Sequence, residues 1–71
     1  MKTNLNKIAD RLKEIRAELK LSQEKFGQKL LVSQDTVSLW ETGKSLPSVE
    51  TVILLCEKYE VSADYLLGLE D

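Results

Sequence analysis

Side chains able to do covalent chemistry are scarce in this sequence. Its 71 residues include no histidine and a single cysteine, Cys56. Without an imidazole, neither a serine nor that thiol has the usual base to activate it, and the common zinc ligand sets are missing. A lone cysteine cannot close an intramolecular disulfide, and no glycine-rich phosphate loop is present. The expectation is therefore a protein that is not an enzyme, with no catalytic residue, no cofactor and no metal centre. What remains is recognition through hydrogen bonds and charge. After Ser33 a short helical run turns Val37 and Trp40 to one side and Gln34, Asp35, Ser38, Leu39 and Thr42 to the other. The first pair reads as core, and the outward arc as a surface that can meet a ligand.

The elements that must hold this arc are all helical. Leu5, Ile8, Leu12, Ile15 and Leu19 recur at the spacing of one helix face, with Lys7, Asp10, Lys13, Glu14 and Glu18 mostly on the other. Ser22, Ser33, Ser48 and Ser62 each precede a run of helix formers and can cap its first turn. These starts predict helices over 22–30, 34–42, 48–59 and 63–67. Gly43 and Gly68 read as helix stops, and Pro47 closes a loop over 43–47 and suits the entrance of the fourth helix. With 42% hydrophobic and 31% charged residues, the chain is too apolar to be disordered. No apolar run approaches the ~18–20 residues that span a bilayer. The polar stretch 2–10 has no secretory h-region, so a cytoplasmic protein is expected. The whole, 1–71, reads as one compact all-α domain of five short helices, with no separate sensing or dimerising domain.

Charge is unevenly placed. The net charge of −2 would argue against a polyanionic partner if it were uniform. Residues 1–44 instead carry nine Lys/Arg against six Asp/Glu, whereas 45–71 carry only Lys58 against six acids. The first half is positive and the second strongly negative.

Between the second and third helices stand only Leu31, Val32 and Ser33. That gap fits two helices crossing steeply, as in a helix-turn-helix, or an ordinary helical corner. The run Leu21-Ser22-Gln23-Glu24-Lys25-Phe26-Gly27-Gln28-Lys29-Leu30, followed by Val32-Ser33-Gln34-Asp35-Thr36-Val37-Ser38-Leu39-Trp40-Glu41-Thr42-Gly43-Lys44-Ser45-Leu46-Pro47-Ser48, resembles the phage repressor and Cro type of helix-turn-helix, the xenobiotic-response-element family. The likeness continues through Val61-Ser62-Ala63-Asp64-Tyr65-Leu66-Leu67-Gly68 and so covers nearly the whole chain. The resemblance implies a five-helix, lambda-repressor-like domain that binds double-stranded DNA, normally as a dimer on a two-fold operator. Three positions depart from the family pattern. Leu31 stands where a left-handed glycine is usual, at a cost on the order of 1 kcal/mol, so strain or a changed turn is expected. Glu60 also replaces a usual glycine, and Gly27 replaces a usual alanine.

In a helix entering the major groove the N-terminal turns meet base edges, and the resemblance places Gln34, Asp35, Ser38 and Leu39 there. Gln34 can pair bidentately with adenine N6 and N7. Asp35 can accept from cytosine N4, or it can simply favour the helix dipole from the first turn. Leu39 can touch a thymine methyl or lean on the 43–47 loop, and Ser38 can donate or accept. Contacts to the DNA backbone, which fix register without reading sequence, are expected from Gln23, from Lys44 and Ser45, and from the main chain of Gly43. Lys25 and Lys29 lie nearby and read as solvated lysines. Arg16 sits at the edge of the first apolar stripe, where an unpaired charge is costly, and Glu41 is similarly placed beside Val37 and Trp40. An ion pair at corresponding positions is familiar in the resembled family, so a structural Arg16–Glu41 pair is expected.

Val49, Val52, Ile53, Cys56 and Tyr59 are expected to form the inner face of the fourth helix, with Cys56 a small buried hydrophobe. Leu54, roughly opposite, could join Tyr65, Leu67 and Leu69 in a self-complementary patch for a homodimer on the helix 4/5 surface. Three functions follow: an operator-binding transcriptional regulator, an antitoxin-like or antagonist protein whose principal partner is another protein, and a purely structural helical module.

Overall fold

A serine begins every helix after the first. The computed structural model describes residues 5–69, and residues 1–4 and 70–71 of the expected 1–71 domain lie outside the described residues, as does the side chain of Leu5. The chain forms α1 (Leu5–Glu18), α2 (Gln23–Leu30), α3 (Gln34–Glu41), α4 (Val49–Tyr59) and α5 (Ala63–Leu66). Ser22, Ser33, Ser48 and Ser62 are N-caps in extended backbone, and their hydroxyls accept the N–H of Lys25, Thr36, Thr51 and Tyr65 respectively. A cap has non-helical dihedrals while its side chain serves the first turn. For that reason Ser22 and Ser48 stand just outside the helices expected to include them. Thr42 and Leu67 are likewise C-caps.

Ile8, Leu12 and Ile15 from α1 meet Phe26 and Leu30 from α2, Val37 and Trp40 from α3, Leu55 from α4 and Leu66 from α5 in one core. Each such side chain contributes roughly 1.5–3 kcal/mol when fully buried. α3 lies between α1 and α2, while α4 and α5 close the other side against α2, α1 and each other.

The face of α4 differs from the expectation. Thr51 and Leu55 are its buried residues, with Val52, Leu54 and Tyr59 packed at the edge of the core. Val49 is 75% exposed and Ile53 51% exposed, and Cys56 is half-buried. Thr51 can face inward because its hydroxyl lies 3.0 Å from the Ser48 hydroxyl and is satisfied there. With Thr51 inward, Leu54 packs at the edge of the core and Val49 and Ile53 face solvent.

Three junctions close on left-handed residues that carry side chains: Lys20 (φ 58°), Leu31 (φ 64°) and Glu60 (φ 56°). At Leu31 the turn expected of a glycine is kept and strained. The Leu31 N–H reaches the Gln28 carbonyl at 3.4 Å and the Val32 N–H reaches the Gly27 carbonyl at 2.9 Å, so the end of α2 is hydrogen-bonded. The side chain is thrown into solvent.

Candidate nucleic-acid interface

Rotation of α3 is set from its inner side. Val37 is fully buried and Trp40 nearly so. On the opposite arc Gln34, Asp35 and Thr42 are exposed, Ser38 is half-buried, and Leu39 is exposed. Gln34, Asp35, Ser38 and Leu39 therefore share one outward surface at the N-terminal and middle turns. Asp35 lies in the first turn, where its charge complements the helix dipole. The Thr42 hydroxyl donates back to the carbonyls of Ser38 at 2.9 Å and Leu39 at 3.3 Å, which engages it within the helix end.

The loop after α3 is tied to the helix by its own backbone. The Gly43 N–H donates to the Trp40 carbonyl at 3.1 Å, and the N–H groups of Lys44 and Ser45 both donate to the Leu39 carbonyl, at 2.9 and 3.2 Å. The Gly43 N–H, on the main chain expected to meet the DNA backbone, is thus engaged at the end of α3. A glycine helix stop itself signals that role, since the N–H after a helix usually satisfies one of the last carbonyls. The Lys44 side chain is exposed and that of Ser45 half-buried. Lys25 and Lys29 are both exposed on α2.

Gln23, Arg16 and Glu41 come together. Arg16 grips Glu41 with two donors, Nε to Oε2 at 2.8 Å and Nη2 to Oε1 at 3.0 Å, and its Nη1 donates to the Leu21 carbonyl at 3.0 Å. Gln23 Nε2 donates to the same Glu41 Oε1 at 3.1 Å. The Glu41 side chain is 3% exposed and that of Arg16 24%. Burial pushes the Glu41 carboxyl up, but the hydrogen bonds from Arg16 and Gln23 and the charges of Arg16 and Lys13 outweigh it and hold the carboxyl below its ordinary value. The hydrogen bond to Glu41 raises the Arg16 guanidinium further, against its own desolvation. The Gln23 amide is thus engaged inside the protein as well as placed at the start of α2. Nothing in the local sequence signals that contact, which joins positions 18 residues apart.

On the far side lie the four residues expected in a dimer patch. The Arg11 guanidinium lies 3.9 Å from the centre of the Tyr65 ring, and the Tyr65 hydroxyl donates to Glu14 Oε2 at 2.7 Å. Tyr65 is therefore occupied within the chain, and Leu54 and Leu67 are half-buried against the core. Of the four expected residues only Leu69, 67% exposed, is open, whereas Val49, Ile53 and Leu46 present apolar surface.

A sequence profile described as helix-turn-helix matches residues 12–66, from within α1 to the end of α5. The chain belongs to the helix-turn-helix family. The α2–turn–α3 pair is the motif that gives the family its name, and the all-helical architecture expected from the sequence is the one found. Among relatives, the HTH-type transcriptional activator BcrR of Enterococcus faecalis is 32% identical over 87% of this chain. The chain spans only 30% of that protein's length. The uncharacterized HTH-type transcriptional regulator YgzD of Bacillus subtilis (strain 168) is 31% identical over 90% of this chain and 97% of its own. In three dimensions, this helix-turn-helix chain is similar to the c2 repressor of Salmonella phage P22, whose crystal structure was solved with synthetic operator 9T in the presence of Tl+. The two share a TM-score of 0.80 and 30% identity over 89% of this chain and 96% of the repressor chain. Among the described residues no group of His, Cys, Asp and Glu could hold a metal ion, and no helix is long and apolar enough to cross a membrane.

Proposed function

We propose that this helix-turn-helix protein is a sequence-specific, double-stranded DNA-binding transcriptional regulator. It occupies an operator as a repressor does, and catalyses no reaction. The observation that carries this reading is the outward arc of α3, held by buried Val37 and Trp40 in a fold that aligns with a repressor solved in complex with a synthetic operator. In this reading Gln34 pairs with an adenine edge, Asp35 and Ser38 meet adjoining bases, and Leu39 touches a thymine methyl. Gln23, Lys44 and Ser45 grip the DNA backbone. The positive first half carries α1 to α3 and faces phosphate, and the acidic second half faces away.

Residues 1–71 act as one domain in the cytoplasm, and two copies bind a two-fold site with recognition helices in major grooves ~34 Å apart. The dimer surface lies on α4 and α5, with Val49 and Ile53 as its exposed apolar side chains in place of Leu54 and Tyr65. The same exposed aliphatics support a second reading, in which the principal partner is another protein and DNA binding is secondary.

Selection of bound duplexes from a random DNA pool at two salt concentrations tests both. Enrichment of an inverted repeat supports the operator-binding dimer and gives its half-site spacing. Retention without any motif, erased by salt, would overturn sequence-specific binding and favour the protein partner.

A further inference from the structure

A glutamine side chain is an ambiguous ligand for phosphate, since one edge of its amide donates and the other accepts. Only the NH2 edge can meet an anion, and an amide free to rotate spends part of its time presenting the wrong one. Gln23 is not free in this way. Its Nε2 lies 3.1 Å from Glu41 Oε1, and an ionised carboxylate accepts hydrogen bonds but cannot donate. Glu41 is itself fixed. The fork of Arg16 holds both of its oxygens, at 2.8 and 3.0 Å, and the residue is 4% exposed. Ionised and immobile, the carboxylate requires the NH2 edge of Gln23. The amide nitrogen carries a second hydrogen that diverges from the first and points away from Glu41.

We propose that Glu41 is the positioning residue for the DNA-backbone contact of Gln23: it selects the amide orientation that donates to phosphate before DNA arrives. This inference rests on the reading of Gln23 as a phosphate contact. Glu41 is also the last residue of α3, so the grip at the start of α2 and the base-reading helix are set by one carboxylate. Orienting the donor in the free protein spares the cost of ordering it on binding.

The test uses the duplex enriched in the selection above, with one backbone phosphate at a time neutralised as a methylphosphonate. The native protein loses about tenfold in affinity at the phosphate that Gln23 meets. Gln23→Ala becomes insensitive at that phosphate alone. The paired variant Arg16→Met/Glu41→Met, which exchanges the ion pair for apolar chains without stranding a charge, loses part of the sensitivity at the same phosphate while keeping the base preferences. If Gln23→Ala stays as sensitive as the native protein at every phosphate, the reading of Gln23 fails. If Gln23→Ala loses one sensitivity and the paired variant keeps all of it, that reading stands and the role of Glu41 is overturned. A measurement on the native protein needs no variant to fold: the Gln23 Nε2 order parameter in the absence of DNA is expected near the ~0.85 of rigid backbone, and a value below ~0.6 would overturn the proposal.

Discussion

A Cβ built on Gly27 would stand 2.7 Å from the carbonyl oxygen of Val32. The glycine lies inside α2 and the carbonyl in the turn before α3, so the absent side chain is what lets the two helices close upon each other. The next nearest atoms, the carbonyl oxygen and carbon of Ser33 at 3.2 and 3.3 Å, are also backbone and cannot rotate away. Gly27→Ala is therefore expected to destabilise the fold by ~1–3 kcal/mol, although alanine favours an isolated helix by ~0.8–1 kcal/mol over glycine. Urea unfolding of the two proteins measures this, and an alanine variant more stable than the native chain would show that the turn has room to move.

Leu31 offers the opposite case. Its φ of 64° is costly for a branched residue, and its side chain is 86% exposed. Leu31→Gly relieves ~1–2 kcal/mol of backbone strain and gives back ~0.5–1 kcal/mol through the more flexible unfolded chain. A net gain of roughly 0.5–1 kcal/mol should appear as a melting temperature raised by a few degrees. A lowered one would mean that the exposed leucine contributes packing worth more than its strain.

The Arg16–Glu41 pair links stability to acidity. The folded carboxyl sits below its ordinary value, so the unfolded chain takes up the proton first. The pair's contribution is then fully present above the unfolded value of about 4.3 and is lost as pH falls through the lower, folded one. Chemical denaturation of the native protein and of Arg16→Met/Glu41→Met between neutral pH and pH ~2.5 should show a stability difference that moves in the variant's favour only below about pH 4.3. A difference that stays level across that range would deny Glu41 a depressed pKa.

Reading and positioning separate by their response to salt. Gln34→Ala should relax preference at one base pair, by ~1–3 kcal/mol of discrimination, and leave the salt slope unchanged. Lys44→Ala should weaken all sequences alike and reduce the slope of log affinity against log salt by ~0.9. Equal slopes and equal preferences in the two variants would abolish the division between them.

Helix starts were legible because each hydroxyl cap acts within one turn, and Ser22, Ser33, Ser48 and Ser62 stand beside the residues they serve. The core sides of α1 and α3 were legible for a similar reason: the apolar stripe of α1 stands opposite charged residues, and Val37 and Trp40 of α3 stand opposite a mostly polar arc. α4 lacks such a stripe. Val49, Val52, Ile53, Leu54, Leu55 and Cys56 surround much of the helix, and beside Leu55 the residue it buries is Thr51, a polar side chain made buriable by Ser48 three positions earlier. Ser-x-x-Thr was the available signal. Of the proposed contact residues, the outward arc of α3 followed from helical spacing alone. The engagement of Gln23 with Glu41 did not, because it forms only when α2 and the end of α3 meet in space. The closing hydrogen bonds of the loop were half legible, with Gly43 marking the stop but not which carbonyl its neighbours would find.

That carbonyl belongs to Leu39, which receives the amides of both Lys44 and Ser45. Hydrogen exchange at these two loop positions should therefore track the C-terminal turn of α3 in a single cooperative opening, since neither amide can reach solvent catalyst until that turn lets go. The cationic side chain of Lys44 rides on this anchored main chain, so the loop behaves as a rigid extension of the helix and not as a tether.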